Sequence, residues 1–286
     1  MEQPSNQIII RRPDDWHLHL RDGAILSAVL PFTAKVFKRA IVMPNLQPPI
    51  TSIKVGFDYK ERIFQSIPDG TDFEPLITAY LTDNFSAKEL EQGFSENIFF
   101  AAKLYPANAT TNSSSGVTDL KKIDNIFSLM EDIGMPLLIH GEVVDKNIDI
   151  FDREEIFIEK HLKPLMHSHP NLRIVLEHIT TIQAIEFVEK SGPNLAATIT
   201  PHHLHINRND MFKGGLRSDF YCLPVAKREN HRLALRKAAT SGKSCFFLGT
   251  DSAPHPRHLK ESSCSCAGIF NAPFAIESYA EVFDEE

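Results

Sequence analysis

Residues 136–142 read PLLIHGE. An unbroken apolar run closed by a polar residue marks a parallel strand buried on both faces, because a half-solvated strand would alternate. The pattern recurs on either side. Downstream lie 172–176 (LRIVL), 195–200 (LAATIT) and 245–248 (CFFL); upstream lie 98–104, 76–81, 40–43 and 16–20. Amphipathic stretches separate them. In 118–130, Leu120, Ile123, Ile126, Phe127 and Met130 recur at spacings of three and four, which stripes one face of a helix. Residues 182–188 and 232–239 read the same way. Eight strands alternating with helices predict a parallel sheet, and eight is the number that closes a (β/α)8 TIM barrel. Such a barrel takes about 250 residues as one unit, so 1–286 is expected to be a single catalytic domain. No repeat or linker interrupts it.

Composition narrows the partners. The 286 residues carry 30 Lys and Arg against 37 Asp and Glu, a net charge of −7. A nucleic-acid binder would leave a basic footprint. No apolar run approaches the roughly 18 residues that a membrane span needs. The start, MEQPSNQIIIRRPDD, lacks the apolar core of a secretory signal. A cytoplasmic protein is expected. Its four cysteines (Cys222, Cys245, Cys264 and Cys266) are too few for a disulfide framework and contain no CxxC pair, so they read as buried free thiols. Residues 106–118 (PANATTNSSSGVT) are small and polar, and follow the fourth strand. They form either a solvated loop or a mobile lid on the catalytic face. The chain closes on a helical pattern at 279–286 with no Gly or Pro stop; a further C-terminal segment is expected beyond it.

The chemistry sits at strand ends. His17 and His19 lie at i and i+2 on the first strand, so both imidazoles project from one face. Taken alone, an HxH pair is explained as readily by packed or surface histidines. It does not stand alone. His140 ends the fifth strand, His178 the sixth and Asp251 the eighth, while Lys103 lies within the fourth (FFAAKLYP). In a parallel barrel all C-terminal strand ends meet on one face, and functional residues there come from several strands. Imidazoles and a carboxylate gathered there suit zinc. Lys103 is costly to bury as a bare ammonium. It is either one half of a buried ion pair or a lysine carbamylated by CO2, whose two oxygens could bridge two metal ions.

The segments WHLHLRDG (16–23), IVMPNLQPP (41–49), KLYPANATTNS (103–113), LIHGE (138–142), LEHITT (176–181), TPHHLH (200–205) and GTDSAPH (249–255), followed by KESSC-C-AG (260–268), resemble the shorter bacterial type of dihydroorotase in the amidohydrolase superfamily. The resemblance runs from about Ile8 to the end. It implies a (β/α)8 barrel that interconverts N-carbamoyl-aspartate and dihydroorotate in pyrimidine biosynthesis, a homodimer, and two Zn2+ per subunit bridged by N6-carboxylysine at Lys103 and by a hydroxide. On the matching positions it implies His17, His19 and Asp251 for one zinc and His140 and His178 for the other. Asp251 would also shuttle a proton. Arg21, Asn45 and His255 would hold the substrate carboxylate, Thr110 and Thr111 would close over the substrate, and the backbones of Leu223 and Ala267 would contact its amide groups. Members of this type continue past the position of Glu286.

The residues themselves support part of this. Arg21 falls two positions beyond His19, on the same strand face, and its planar fork suits a carboxylate. Together with Lys103 and His255 it forms a basic trio on an acidic protein. Glu177 or Glu142 could accept a proton from a metal-bound imidazole. His202, His203 and His205 are expected to be loop or supporting groups, His161, His167 and His169 to be solvated, and Cys264 and Cys266 to be packed thiols. Two other readings share the sequence. A hydantoinase would keep the metals and lack the carboxylate clamp; a non-catalytic barrel would lack the metals.

Overall fold

The computed structural model describes residues 7–286. All eight expected strands form: β1 (Asp15–Leu18), β2 (Arg39–Val42), β3 (Glu74–Tyr80), β4 (Ala101–Leu104), β5 (Leu137–His140), β6 (Ile174–Glu177), β7 (Leu195–Ile199) and β8 (Phe246–Leu248). Each lies parallel to the next in chain order. A parallel bridge between Leu18 and Ser252, just past β8, brings the two edges of the sheet together. Its ladder is carried by Asp251 N–H to the His17 carbonyl at 2.9 Å and His19 N–H to the Ser252 carbonyl at 3.0 Å. The sheet is therefore closed as a barrel.

Side-chain alternation divides the core in two. The larger cluster fills the shell between strands and helices. A small one, Ile41, Met43, Ala101 and Leu138 with Trp16, Leu76 and Val175, fills the barrel interior. Two residues beyond an interior position the side chain points inward again, one layer nearer the C-terminal rim. Ala101 thus predicts Lys103, Leu138 predicts His140, and Val175 predicts Glu177. β1 breaks the pattern. Its register on β2 shifts between Asp15 and Leu18, so Trp16 packs on the interior cluster while its neighbour His17 reaches the site.

The expected fourth strand at 98–104 is shortened to Ala101–Leu104. The Ile98 and Phe99 N–H groups both donate to the Gly93 carbonyl at 2.9 Å, closing the helix Ala87–Ser95 instead of joining the sheet. Phe99 then fills the space that two glycines leave. A Cβ on Gly93 would lie 2.4 Å from its ring, and one on Gly56 2.7 Å. The pattern at 118–130 becomes a 3-10 turn, Leu120–Ile123, and a helix, Asp124–Ile133, which stops at left-handed Gly134. The expected helices at 182–188 and 232–239 form as Ile182–Lys190 and Glu229–Thr240.

Two burial expectations are corrected. His169 is buried rather than solvated, because its Nε2 meets Asp124 Oδ1 at 3.0 Å and its ring stands edge-on to Phe127. Cys264 is exposed rather than packed; of the four thiols, Cys222 is buried and the other two are intermediate. Among the described residues, no helix is long and apolar enough to cross a membrane.

Candidate active site

His17, on β1, and His19, just beyond it, converge at the C-terminal rim on Asp251, which follows β8. The two Nε2 atoms are 3.3 Å apart, and each faces Asp251 Oδ1, at 3.3 and 3.2 Å respectively. An ion bound to imidazole nitrogens at about 2.0–2.1 Å in tetrahedral geometry would separate its ligands by about 3.3 Å, so this trio has the spacing of a zinc-type ligand set. A second trio, His17, Glu177 and His178, holds its ligand atoms within 4.8 Å of one another. Several of these atoms are buried without a hydrogen-bond partner, including His178 Nδ1, His17 Nδ1 and Glu177 Oε1. The last two approach within 2.9 Å, but off the line of a hydrogen bond. Buried polar atoms left unmatched are costly, and a cation would satisfy them. The residues present fit a divalent metal.

His140 ends β5 beside His178, ring centroids 4.8 Å apart. Its Nε2 is taken by Glu142 Oε2 at 2.8 Å. Lys103 is fully buried on β4 and pairs with Glu177 Oε2, under the Tyr105 ring at 4.8 Å. Burial lowers the Lys103 pKa against the pull of Glu177. Burial would raise that of Glu177, but His17 and Lys103 hold it below the usual carboxylate range. Without a cation, His17 is the counter-charge. Burial opposes its protonation, yet Glu177 and Asp251 raise its pKa to about 9. For His19 burial outweighs the pull of Asp251 and takes the pKa down to about 3. Two buried carboxylates, Glu177 and Asp251, are thus set against Lys103 and His17 among the other imidazoles.

Three site residues adopt left-handed backbone: Arg21 (φ 59), His178 (φ 44) and Asp251 (φ 45). Such conformations cost about 1–3 kcal/mol each and persist where neighbours over-determine them. Asp251 is held by its N–H bond to β1. The His178 N–H donates to Thr198 Oγ1 at 2.7 Å. The next turn is clamped by buried Glu154, which accepts from the Thr180 N–H, the Thr180 hydroxyl and the Thr181 hydroxyl. Arg21 is held at its carbonyl by the Tyr59 hydroxyl at 2.6 Å. Its Nε donates to the Pro254 carbonyl at 3.1 Å, and its Nη2 meets His255 Nε2 at 3.1 Å. Arg21 therefore faces the mouth through a turn, and not through the strand alternation expected for it. Asp15, unremarked in the sequence, ties β1 to the β8 loop by accepting from the Thr250 N–H at 2.8 Å and the Thr250 hydroxyl at 2.6 Å.

The rim is closed by loops. Asn45 Oδ1 meets His19 Nδ1 at 2.9 Å, and its Nδ2 donates to the Thr111 carbonyl at 2.9 Å. The Thr111 hydroxyl donates to the Ala267 carbonyl at 3.3 Å. Segment 106–118 thus packs across the mouth. Thr110, Thr111, Leu223 and Ala267 line the pocket with His17, His19, Arg21, Asn45, His140, His178 and Asp251. His255 does not add charge to a basic trio. Burial and the neighbouring Arg21 push its pKa down to about 4, leaving a neutral ring bonded to the Ala267 carbonyl at 2.9 Å. His202 and His203 are buried on the short helix Pro201–His205. His202 Nδ1 meets Asn271, and His203 meets Thr200 and the Pro224 carbonyl. A wider cleft lies elsewhere, toward the N-terminal strand ends near Trp16, Phe100 and Leu138. It is mostly apolar, with Arg173 and Asn194 as its charged and amide side chains, and offers no nucleophile or acid–base pair.

Arg21's backbone, the Tyr59 anchor and the roles of Asp15 and Glu154 had no local sequence signal. Each joins segments far apart in the chain. Glu177 could be found, since it stands two residues after interior Val175 on the same strand.

A closed eight-stranded barrel with imidazoles and carboxylates gathered at its C-terminal rim defines the amidohydrolase class, and the amidohydrolase family model matches residues 9–284. The dihydroorotase of Parasynechococcus marenigrum (strain WH8102) is 65% identical over 282 residues, which are 99% of this chain and 82% of that protein. The crystal structure of dihydroorotase from Campylobacter jejuni superposes with a TM-score of 0.90 at 38% identity, covering 100% of this chain and 80% of its own. Dihydroorotase from Saccharomyces cerevisiae in complex with 5-fluoroorotic acid gives 0.89 at 36%, covering 96% and 78%. The chain belongs to the dihydroorotase family of amidohydrolases.

Proposed function

We infer that this protein interconverts dihydroorotate and N-carbamoyl-aspartate, a step of pyrimidine biosynthesis. Hydrolysis adds water across the ring's amide bond; in the reverse direction the ureido nitrogen attacks a side-chain carboxylate and water leaves. The observation that carries the reading is the juxtaposition of Arg21, which His255 backs at 3.1 Å, and Asn45 with the His17–His19–Asp251 trio at one mouth. A planar guanidinium beside an amide suits a carboxylate, and the trio lines the same pocket. The yeast relative's complex with 5-fluoroorotic acid, itself a carboxylated pyrimidine, supports this choice over a neutral hydantoin.

His17, His19 and Asp251 would hold one divalent ion, and His140 and His178 another, with carboxylated Lys103 between them. Once bound, the pair would activate water at neutral pH and polarise the scissile carbonyl. The chain's own work is distinct. Asp251 accepts a proton from the attacking water and returns it to the ring nitrogen as the bond breaks. Arg21, Asn45 and His255 fix the carboxylate. Thr110 and Thr111 cover the substrate, and the Leu223 and Ala267 backbones meet its amide edges. Residues 1–286 would act as one catalytic barrel. The zinc identity and the homodimer rest on the sequence resemblance, and a cytoplasmic setting suits a step of pyrimidine biosynthesis.

Steady-state assays test the reading. Dihydroorotate should be hydrolysed with a kcat/KM at least about a hundredfold above that for dihydrouracil or hydantoin, which lack the carboxylate. Equal rates would move the assignment to a neutral cyclic amidase. Metal analysis should find about two ions per chain; a metal-free and inactive protein would favour a scaffold role. Tyr59→Phe removes the hydroxyl that secures the Arg21 carbonyl. KM for dihydroorotate should rise about three- to tenfold with kcat nearly unchanged. An unmoved KM would show that packing alone holds Arg21.

A further inference from the structure

Lys260 ends the short helix Arg257–Lys260. It is 7% exposed, yet no carboxylate pairs with it among the described residues. Its Nζ donates to three backbone carbonyls: Tyr221 at 3.0 Å, Cys266 at 3.0 Å and Gly268 at 2.9 Å. Those three acceptors match the three donors of an ammonium. Two of them flank Ala267 and the third lies two residues before Leu223, and both Ala267 and Leu223 line the pocket. The two segments are joined directly by the Gly268 N–H, which donates to the Tyr221 carbonyl at 3.0 Å.

The Cys266–Ala267 peptide is trans. In a planar trans peptide the C=O and N–H point in opposite directions. With its carbonyl on the Lys260 ammonium, the Ala267 N–H is turned away from Lys260. Ala267 lines the pocket and Lys260 does not. The Ala267 N–H has no acceptor among the described residues, whereas the Ala267 carbonyl is held by His255 and Thr111. The glycine at 268 lets this backbone pass close under the loop, since a Cβ there would lie 2.6 Å from the Ala253 carbonyl.

We propose that Lys260 is a positioning residue: its caged ammonium fixes and polarises the Cys266–Ala267 peptide so that the Ala267 N–H is presented as a hydrogen-bond donor to the substrate ring. The substrate part of this rests on the dihydroorotase reading. A charge-assisted bond at a peptide carbonyl strengthens the donor at the other end of the same peptide, because aligned hydrogen bonds polarise one another.

The test pairs kinetics with a signal that needs no substrate. Lys260→Met keeps the aliphatic stem and removes all three donors. In the metal-loaded protein, KM for dihydroorotate should rise about tenfold or more while kcat and metal content change little. In protein labelled with [15N]alanine and free of substrate, the Ala267 amide resonance should move and its solvent exchange quicken. A variant with wild-type KM, or a raised KM with an unmoved Ala267 amide, overturns the proposal. If wild-type protein fails to turn over dihydroorotate, the functional reading falls, while the amide signal still decides whether Lys260 fixes the peptide. Should Lys260→Met not fold, dihydroorotate titrated into labelled wild-type protein must shift the Ala267 amide, and an unshifted amide overturns the proposal.

Discussion

Replacing Asp251 with Asn should leave a folded barrel and remove nearly all turnover, with kcat lower by about a thousandfold or more. The substitution is isosteric, and the Asp251 N–H bond to the His17 carbonyl at 2.9 Å does not depend on the side chain. The left-handed backbone at φ 45 is one that asparagine also tolerates. What changes is charge. Burial works against an ionised Asp251, but His17 and the bonds from His17 and His19 hold its pKa well below the usual range. The native site thus carries a carboxylate where the variant carries an amide, which neither accepts a proton nor offsets a cation. Dihydroorotate turnover, melting temperature and metal content would be measured together. Lost turnover with two metals retained assigns the loss to proton transfer, and loss of one metal assigns it to ligation. Wild-type turnover would remove Asp251 from the mechanism.

The barrel was legible because buried parallel strands must be apolar throughout, and because the residue at which each run ends is where the chain enters the rim. His140 and His178 could be placed by that rule, His17 by its i, i+2 spacing from His19, and Lys103 by its place inside an apolar run. Alternation from Ala101 and Leu138 then points Lys103 and His140 inward. The supporting contacts were not legible. Tyr59 reaches Arg21 across 38 positions, Lys103 reaches Glu177 across 74, and Thr250 reaches Asp15 across 235. No local pattern encodes such pairings. The same holds for charge: His255 counts as a base in the sequence, yet burial beside Arg21 makes it a neutral ring. His169 looked solvated in a polar helix because Asp124 and Phe127, which bury it, belong to another element.

Lys103→Ala should separate the two explanations of a buried lysine. In the metal-free barrel Lys103 is the partner of Glu177, and both side chains are fully buried. Removing one member leaves the buried Glu177 with His17 as its remaining counter-charge, so the metal-free variant should lose about 3 kcal/mol of stability. That loss alone supports only an ion pair. The carbamate reading makes a further demand: a lysine that bridges two ions as an anion cannot be replaced by a methyl group without loss of metal. Metal content should fall below two per chain, and kcat by at least about a thousandfold. Burial favours the neutral amine, the form that reacts with CO2, by lowering the Lys103 pKa. Wild-type protein loaded in 13C-labelled bicarbonate should therefore show a carbamate resonance that Lys103→Ala lacks. The double variant Lys103→Met/Glu177→Leu isolates the ion pair. Apolar side chains of similar volume should restore much of the lost stability, yet turnover should stay absent. If Lys103→Ala kept two metal ions and full turnover, Lys103 would be only the counter-ion of Glu177, and the two metals would need another bridge.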